Sequence, residues 1–194
     1  MKLFKRQKNN GFTIIEALVA ISILSISVAG MLGVTASTAT TARYANNEIA
    51  ANYLLQEAVD SIRNSRDTIV FQQKNTWTQF LNRYGYTGSN KCFSTYGCYL
   101  KIDIFNSQDL TGTDIVVCPA SGCPYLSYDP SGNLHYFYYY DTVTTNLSSF
   151  NRTVTMSTDV AYPDQVKITV TVTWTNGSVL RSRSLDSYLL NWQK

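Results

Sequence analysis

From residue 17 to residue 42 the chain carries no charged side chain. A helix rises about 1.5 Å per residue, so this run is ample to cross a hydrocarbon core of about 30 Å. It predicts a membrane-inserted helix near the N-terminus. The run is entered through Gly11, Phe12, Thr13, Ile14, Ile15 and Glu16. An acid in so apolar a setting costs about 3 kcal/mol or more unless a positive group answers it. Scission between Gly11 and Phe12 would give Phe12 a new α-ammonium, four residues from Glu16, able to pair with that carboxylate in the same or a neighbouring chain. A plain signal anchor leaves Glu16 without a role. A signal peptide cut near Val34, Thr35 and Ala36 conflicts with the length of the run, because the usual apolar region is only about 7 to 15 residues.

The formal charge of +3 is misleading. Lys2, Lys5, Arg6 and Lys8 supply four of the 16 basic residues, leaving 12 against 13 acidic residues from Phe12 onward. Near neutrality removes the global electrostatic case for nucleic acid and leaves only a local basic patch to consider. The same four cations, against Arg43 alone just past the run, hold the N-terminus in the cytoplasm and send the chain beyond about residue 40 outward. Cys92, Cys98, Cys118 and Cys123 are an even set within that exported part, which predicts two disulfides. Four cysteines allow three pairings; the short loops Cys92 to Cys98 and Cys118 to Cys123 close easily and are favoured. A zinc site is the rival, but the spacings of five and four intervening residues fit the usual knuckle poorly.

Gly11, Phe12, Thr13, Ile14, Ile15, Glu16, Ala17 and Leu18 resemble the class III leader and helix start of type IV pilins and of type II secretion pseudopilins. The resemblance is close from Lys2 to about Ile62 and continues beyond only as general architecture. It implies that a membrane prepilin peptidase cuts after Gly11 and methylates the Phe12 amine, and that Glu16 is the subunit-docking carboxylate. Many pilins carry a proline in the first helix, and this chain has none there. Gly30 and Gly33 weaken the helix instead, by about 1 kcal/mol each relative to Ala. They either permit local melting during polymerisation or, with Ser22, Ser25 and Ser27, allow close helix packing.

Beyond the membrane run, 43–65 lacks Pro and Gly and keeps helical spacing. Ala51, Leu55, Val59 and Ile62 form one stripe, with Glu48, Asn52, Gln56, Asp60 and Arg63 largely elsewhere. The whole helix would be roughly 75 Å long. A connector over 66–90 contains a short second helix, with Trp77, Phe80, Leu81 and Tyr84 on one face and Gly85 ending it. After Lys91 the pattern alternates. Strands are predicted at Leu100, Ile102 and Ile104, at 115–118, at 135–140 after a turn at 129–132, and at 153–156. The clearest strand sets Val166, Ile168, Val170, Val172 and Trp174 against Lys167, Thr169, Thr171 and Thr173, and Asn176-Gly177 suits a type I′ hairpin turn. A strand over 179–183 reads as an edge with Arg181 and Arg183 on one face, and the apolar end 185–192 reads as docked. An antiparallel sheet with one apolar face needs a cover, and the helix stripe supplies it. The expected fold is therefore α+β and pilin-like: a long N-terminal helix on an antiparallel sheet, with a short second helix and two disulfides. Its parts are a leader (1–11), a transmembrane and filament-core helix (12–36), an amphipathic continuation (37–65) and a globular sheet domain (66–194).

Catalytic residues are scarce. His135 is the only histidine, so neither a Ser-His-Asp triad with a spare ligand nor a multi-histidine metal site can be assembled. No enzyme activity, cofactor or metal is expected. Alternation sends Tyr136, Tyr138 and Tyr140 to one face and Phe137 and Tyr139 to the other, so one set can be core and the other an aromatic binding face. The resemblance implies a structural filament subunit, most like a minor pilin. Its partners would be the prepilin peptidase, other pilin subunits through helix packing, and the bacterial inner membrane before assembly into an extracellular pilus or periplasmic pseudopilus. A pseudopilin of a type II secretion or competence system differs in partner, not in physics. A tip adhesin or DNA-binding pilin is the second class, favoured if Lys91, Lys101, Arg152, Arg181 and Arg183 meet beside exposed tyrosines.

Overall fold

The computed structural model describes residues 11–72, 76–88, 90–101, 114–128, 138–140 and 147–192. The leader cations, Ile102 and Ile104, the turn at 129–132, and His135, Tyr136 and Phe137 lie outside the described residues. The chain divides into two compact units, Met1–Asn46 and Asn47–Lys194.

In the first unit, helix α1 (Ile14–Asp67) starts after Thr13, whose carbonyl accepts the N–H of Glu16 at 3.1 Å and of Ala17 at 3.2 Å. Ile14, Leu18, Ile21, Ile26, Met31 and Val34 are all exposed. A helix that is apolar all round has no face designed for water, and this one is long and apolar enough to cross a membrane. Its hydroxyls do not spoil that property. Ser22, Ser25, Ser27 and Thr35 donate to the carbonyls of Leu18, Ile21, Ile23 and Met31 at 2.8–2.9 Å, so each polar group is satisfied inside its own helix.

In the second unit, the part of α1 from Asn47 onward buries a stripe of Ala51, Leu54, Leu55, Ala58, Val59 and Ile62. The helix runs on past Ser65, where the sequence pattern ends it. Ser65 and Ile69 continue the stripe three and seven residues after Ile62 and are fully buried, so burial carries the chain helically to Asp67 and through a π-helical turn, Thr68–Gln72. Helix α2 (Trp77–Arg83) follows, opened by a capping box in which Thr76 and Gln79 satisfy each other's backbone N–H. At its end Gly85 takes φ +90°, its N–H bonding to Asn82 O while that of Tyr86 reaches Leu81 O, the two bonds of a Schellman cap. Phe80, Leu81 and Tyr84 are buried.

Seven strands build one antiparallel sheet among the described residues: β1 (Cys98–Leu100), β2 (Ile115–Val117), β3 (Tyr125–Tyr128), β4 (Tyr138–Tyr139), β5 (Leu147–Asp159), β6 (Tyr162–Asn176) and β7 (Val179–Leu190). Strand β5 pairs along its length with β6, which pairs with β7. The other edge of β5 is shared, β1 joining at Val154 and β3 around Asn151 and Leu147, with β2 outside β1 and β4 outside β3. The face formed by Phe150, Val154, Met156, Val166, Ile168, Val170, Val172 and Trp174 is buried and forms one core with the α1 stripe and α2.

Three local expectations change. The strand around 153–156 extends over the whole of β5. The edge strand and the docked end are one element, β7, held along its length by β6, with Leu189 buried and Trp192 45% exposed. In the hairpin between β6 and β7, Asn176 is still paired with Val179, so the loop is Gly177-Ser178. Of these only Gly177 has positive φ (+64°), the pattern of a type II′ turn and not the type I′ turn expected from Asn176-Gly177.

Candidate functional site

Gly11, Phe12, Thr13 and Glu16 form the entrance to α1. Phe12 is 73% exposed, and Glu16 lies in the first helical turn, where the partial positive charge of unpaired N–H groups favours an anion. The Glu16 N–H reaches the Thr13 hydroxyl as well, at 3.4 Å. Among the described residues no cation lies within ion-pair distance of the Glu16 carboxylate. A carboxylate four residues after Phe12, in the first turn of an exposed and otherwise apolar helix end, is thus presented outward, to whatever covers that end.

The four cysteines form two bonds, Cys92–Cys98 and Cys118–Cys123. Both are placed to stitch elements together. The Cys92 N–H donates to Tyr84 O at 2.9 Å and its carbonyl accepts from Met156 N–H at 2.8 Å, joining the end of α2 to β5. Cys123 lies beside β5, where the Asn151 amide donates to its carbonyl and the Thr153 hydroxyl contacts its sulfur at 3.1 Å. No group of three or more His, Cys, Asp or Glu side chains suited to a metal occurs among the described residues.

Of the five basic residues expected to form a surface patch, Arg152 and Arg183 are taken up by acids of α1, and Lys101 and Arg181 are set apart. Arg152 is 1% exposed, its guanidinium paired with Glu57 and donating to Leu54 O at 3.2 Å. Arg183 forks onto Glu48 with three contacts of 3.1 Å. Lys101 follows β1 and Arg181 sits on β7, on opposite sides of β5 and β6. The physical reason is alternation: Arg152 falls between Phe150 and Val154 on the helix-facing side of β5, so it must be buried and answered there. Glu57, one residue before Ala58 on the α1 stripe, is the answer, and its role was not foreseen. The available signal was an arginine at a core-facing strand position and an acid flanking the helix stripe.

Of the tyrosine run, Tyr138 packs edge-on against Phe150 at 5.3 Å and beside Tyr128 at 5.5 Å, while Tyr140 packs on Tyr99 at 4.7 Å. The Tyr140 hydroxyl donates to Arg152 O at 2.9 Å, and the Arg152 guanidinium lies 5.9 Å from its ring centre. Burial pushes the Tyr140 phenol above its ordinary range, with Arg152 opposing; burial and then Tyr128 raise Tyr138. Both rings pack against the core, and Tyr140 also holds the arginine of its ion pair.

Residues 6–32 match the family model of the prokaryotic N-terminal methylation motif. The match identifies a prepilin-like N-terminus with a class III signal, built on a long apolar helix. Together with the long N-terminal helix on an antiparallel sheet, the matched motif supports a prepilin of pilin-like or pseudopilin-like type. No curated protein and no solved structure matches the chain.

Proposed function

We propose that the chain is a minor pilin, cut between Gly11 and Phe12, methylated on the Phe12 amine and assembled into a type IV pilus-like filament through its N-terminal helix. The leader would be 1–11, the membrane and filament-core helix 12–36, the amphipathic continuation 37–65 and the globular domain 66–194. One observation carries the reading: an all-apolar, exposed helix end presents Glu16 four residues after Phe12, within a matched methylation motif. In the membrane that helix faces lipid, N-terminus inward; in a filament it faces the helices of other subunits. The Cys-bearing, aromatic domain supports the minor over the major subunit.

Glu16→Leu tests the docking role. The variant should insert and be cleaved normally, because an expensive charge has gone. Its incorporation should fail, since the Phe12 ammonium of a neighbour is left buried without a partner, a loss of roughly 3 to 5 kcal/mol. Immunodetection in sheared filament fractions, with total membrane level as control, reads the outcome. Equal recovery of variant and wild type would remove Glu16 from docking.

A further inference from the structure

We propose that the outer face of the sheet carries a binding site for a neutral saccharide, in the cavity beside the turn between β5 and β6. The backbone makes the cavity. Thr158 of β5 stands opposite Val166, but the next residue, Asp159, stands opposite Tyr162, so residues 163–165 of β6 have no partner on β5. Pro163 within this bulge has no N–H to lose, and bulges of this kind bend a strand and re-aim its side chains. The space opened is about 690 Å³, within the usual range for small-molecule sites. It lies at the Arg63 end of the α1 segment and not the Glu48 end, since Arg63 contacts Ser187 of β7 and Glu48 contacts Arg183.

The lining decides the ligand class. Ser157, Lys167 and Tyr188 form one row across β5, β6 and β7, and Gln165, Tyr162 and Asp159 line the cavity with them, beside Thr158 and Val160. Tyr162 and Tyr188 are 60% and 57% exposed, two rings left uncovered beside the cavity. A sugar ring offers an apolar face of C–H bonds and a rim of hydroxyls. Exposed tyrosine rings suit the first, and the amide, hydroxyl, carboxylate and ammonium around them suit the second. Charge argues against an anionic ligand. The Lys167 ammonium is 2.8 Å from Asp186, whose other oxygen accepts from Thr169 at 2.6 Å, and Asp159 adds a negative charge to the wall. A phosphate backbone needs unneutralised cations, and this cavity balances the one it has.

The test uses the full chain in dodecylphosphocholine micelles, a detergent without a sugar headgroup. Saturation-transfer NMR is recorded with the methyl glycosides of glucose, galactose, mannose and N-acetylglucosamine, and with a single-stranded oligothymidylate in competition. The expected result is transfer to at least one glycoside, weakened roughly tenfold by Tyr188→Ala, as for loss of one stacking ring, and by Lys167→Ala. Tyr188→Phe, which keeps the ring, should retain binding and shows that the strand is intact. Absence of transfer to every glycoside, transfer unchanged in Tyr188→Ala, or displacement by the oligothymidylate would overturn the proposal.

Discussion

The same helix is written in two ways. Between Leu18 and Val34 its large apolar side chains are exposed on every side, and its serines donate to their own backbone. From Asn47 onward one stripe is buried to 5% exposure or less, and charged residues flank it. The first part carries no core of its own and needs lipid or other helices around it; the second is half of a core that the sheet completes. The difference separates assembly from stability: residues that decide stability should be silent in assembly chemistry, and the reverse.

The comparison can be pressed hardest at Arg152. Replacing it by Ala removes a side chain that is 1% exposed and leaves Glu57, which is 29% exposed, without its cation. Breaking one half of a buried pair typically costs roughly 3 to 5 kcal/mol, so Arg152→Ala should lower the denaturant midpoint strongly while leaving processing at Gly11 untouched. Glu16→Leu should do the opposite, with no change in the unfolding midpoint. If both variants shift the midpoint alike, the two parts are not distinct.

Reduction comes next in size. Loops of six and five residues are short, and closing each is worth about 2 kcal/mol on the chain-entropy account. Melting followed by circular dichroism with and without reductant should show the sheet signal lost at lower temperature, while the helix before Asn47, which holds no cysteine, keeps its signal in micelles. Thiol titration of the unfolded, unreduced chain should find none of the four cysteines free.

The smallest effect expected is at the exposed Lys167 and Asp186 pair. Hydrogen bonds from Lys167 and Thr169 hold the Asp186 carboxyl below its ordinary 3.8. Its contribution is therefore present above that value and is lost as pH falls through the lower folded value. The same bond raises Lys167 above 10.5, so its share is present below that and lost as pH rises further. Asp186→Asn should melt slightly below wild type at neutral pH, with the gap closing in acid. A gap that widens in acid would contradict the assignment.

Much of this was legible in the residues, for reasons of period. The uncharged run, the stripe of Ala51, Leu55, Val59 and Ile62, and the alternation of β6 are local patterns, each read within one element. The candidate docking site was legible for the same reason, since Gly11, Phe12 and Glu16 are close in sequence. What escaped was non-local. Arg152 and Glu57 are 95 residues apart, and only the register of β5 against α1 brings them together. The saccharide cavity depends on a bulge that exists only relative to a partner strand. The length of β7 was obscured because Arg181 and Arg183 occupy its helix-facing side, and the reason for Arg183 is Glu48, on another element.

The central claim, that this is a processed and assembled prepilin, is tested most directly by the mass of the N-terminal peptide from the sheared filament fraction. The account predicts a chain beginning at Phe12 with one methyl group on its amine. A chain beginning at Met1, or after Ala36, would contradict it.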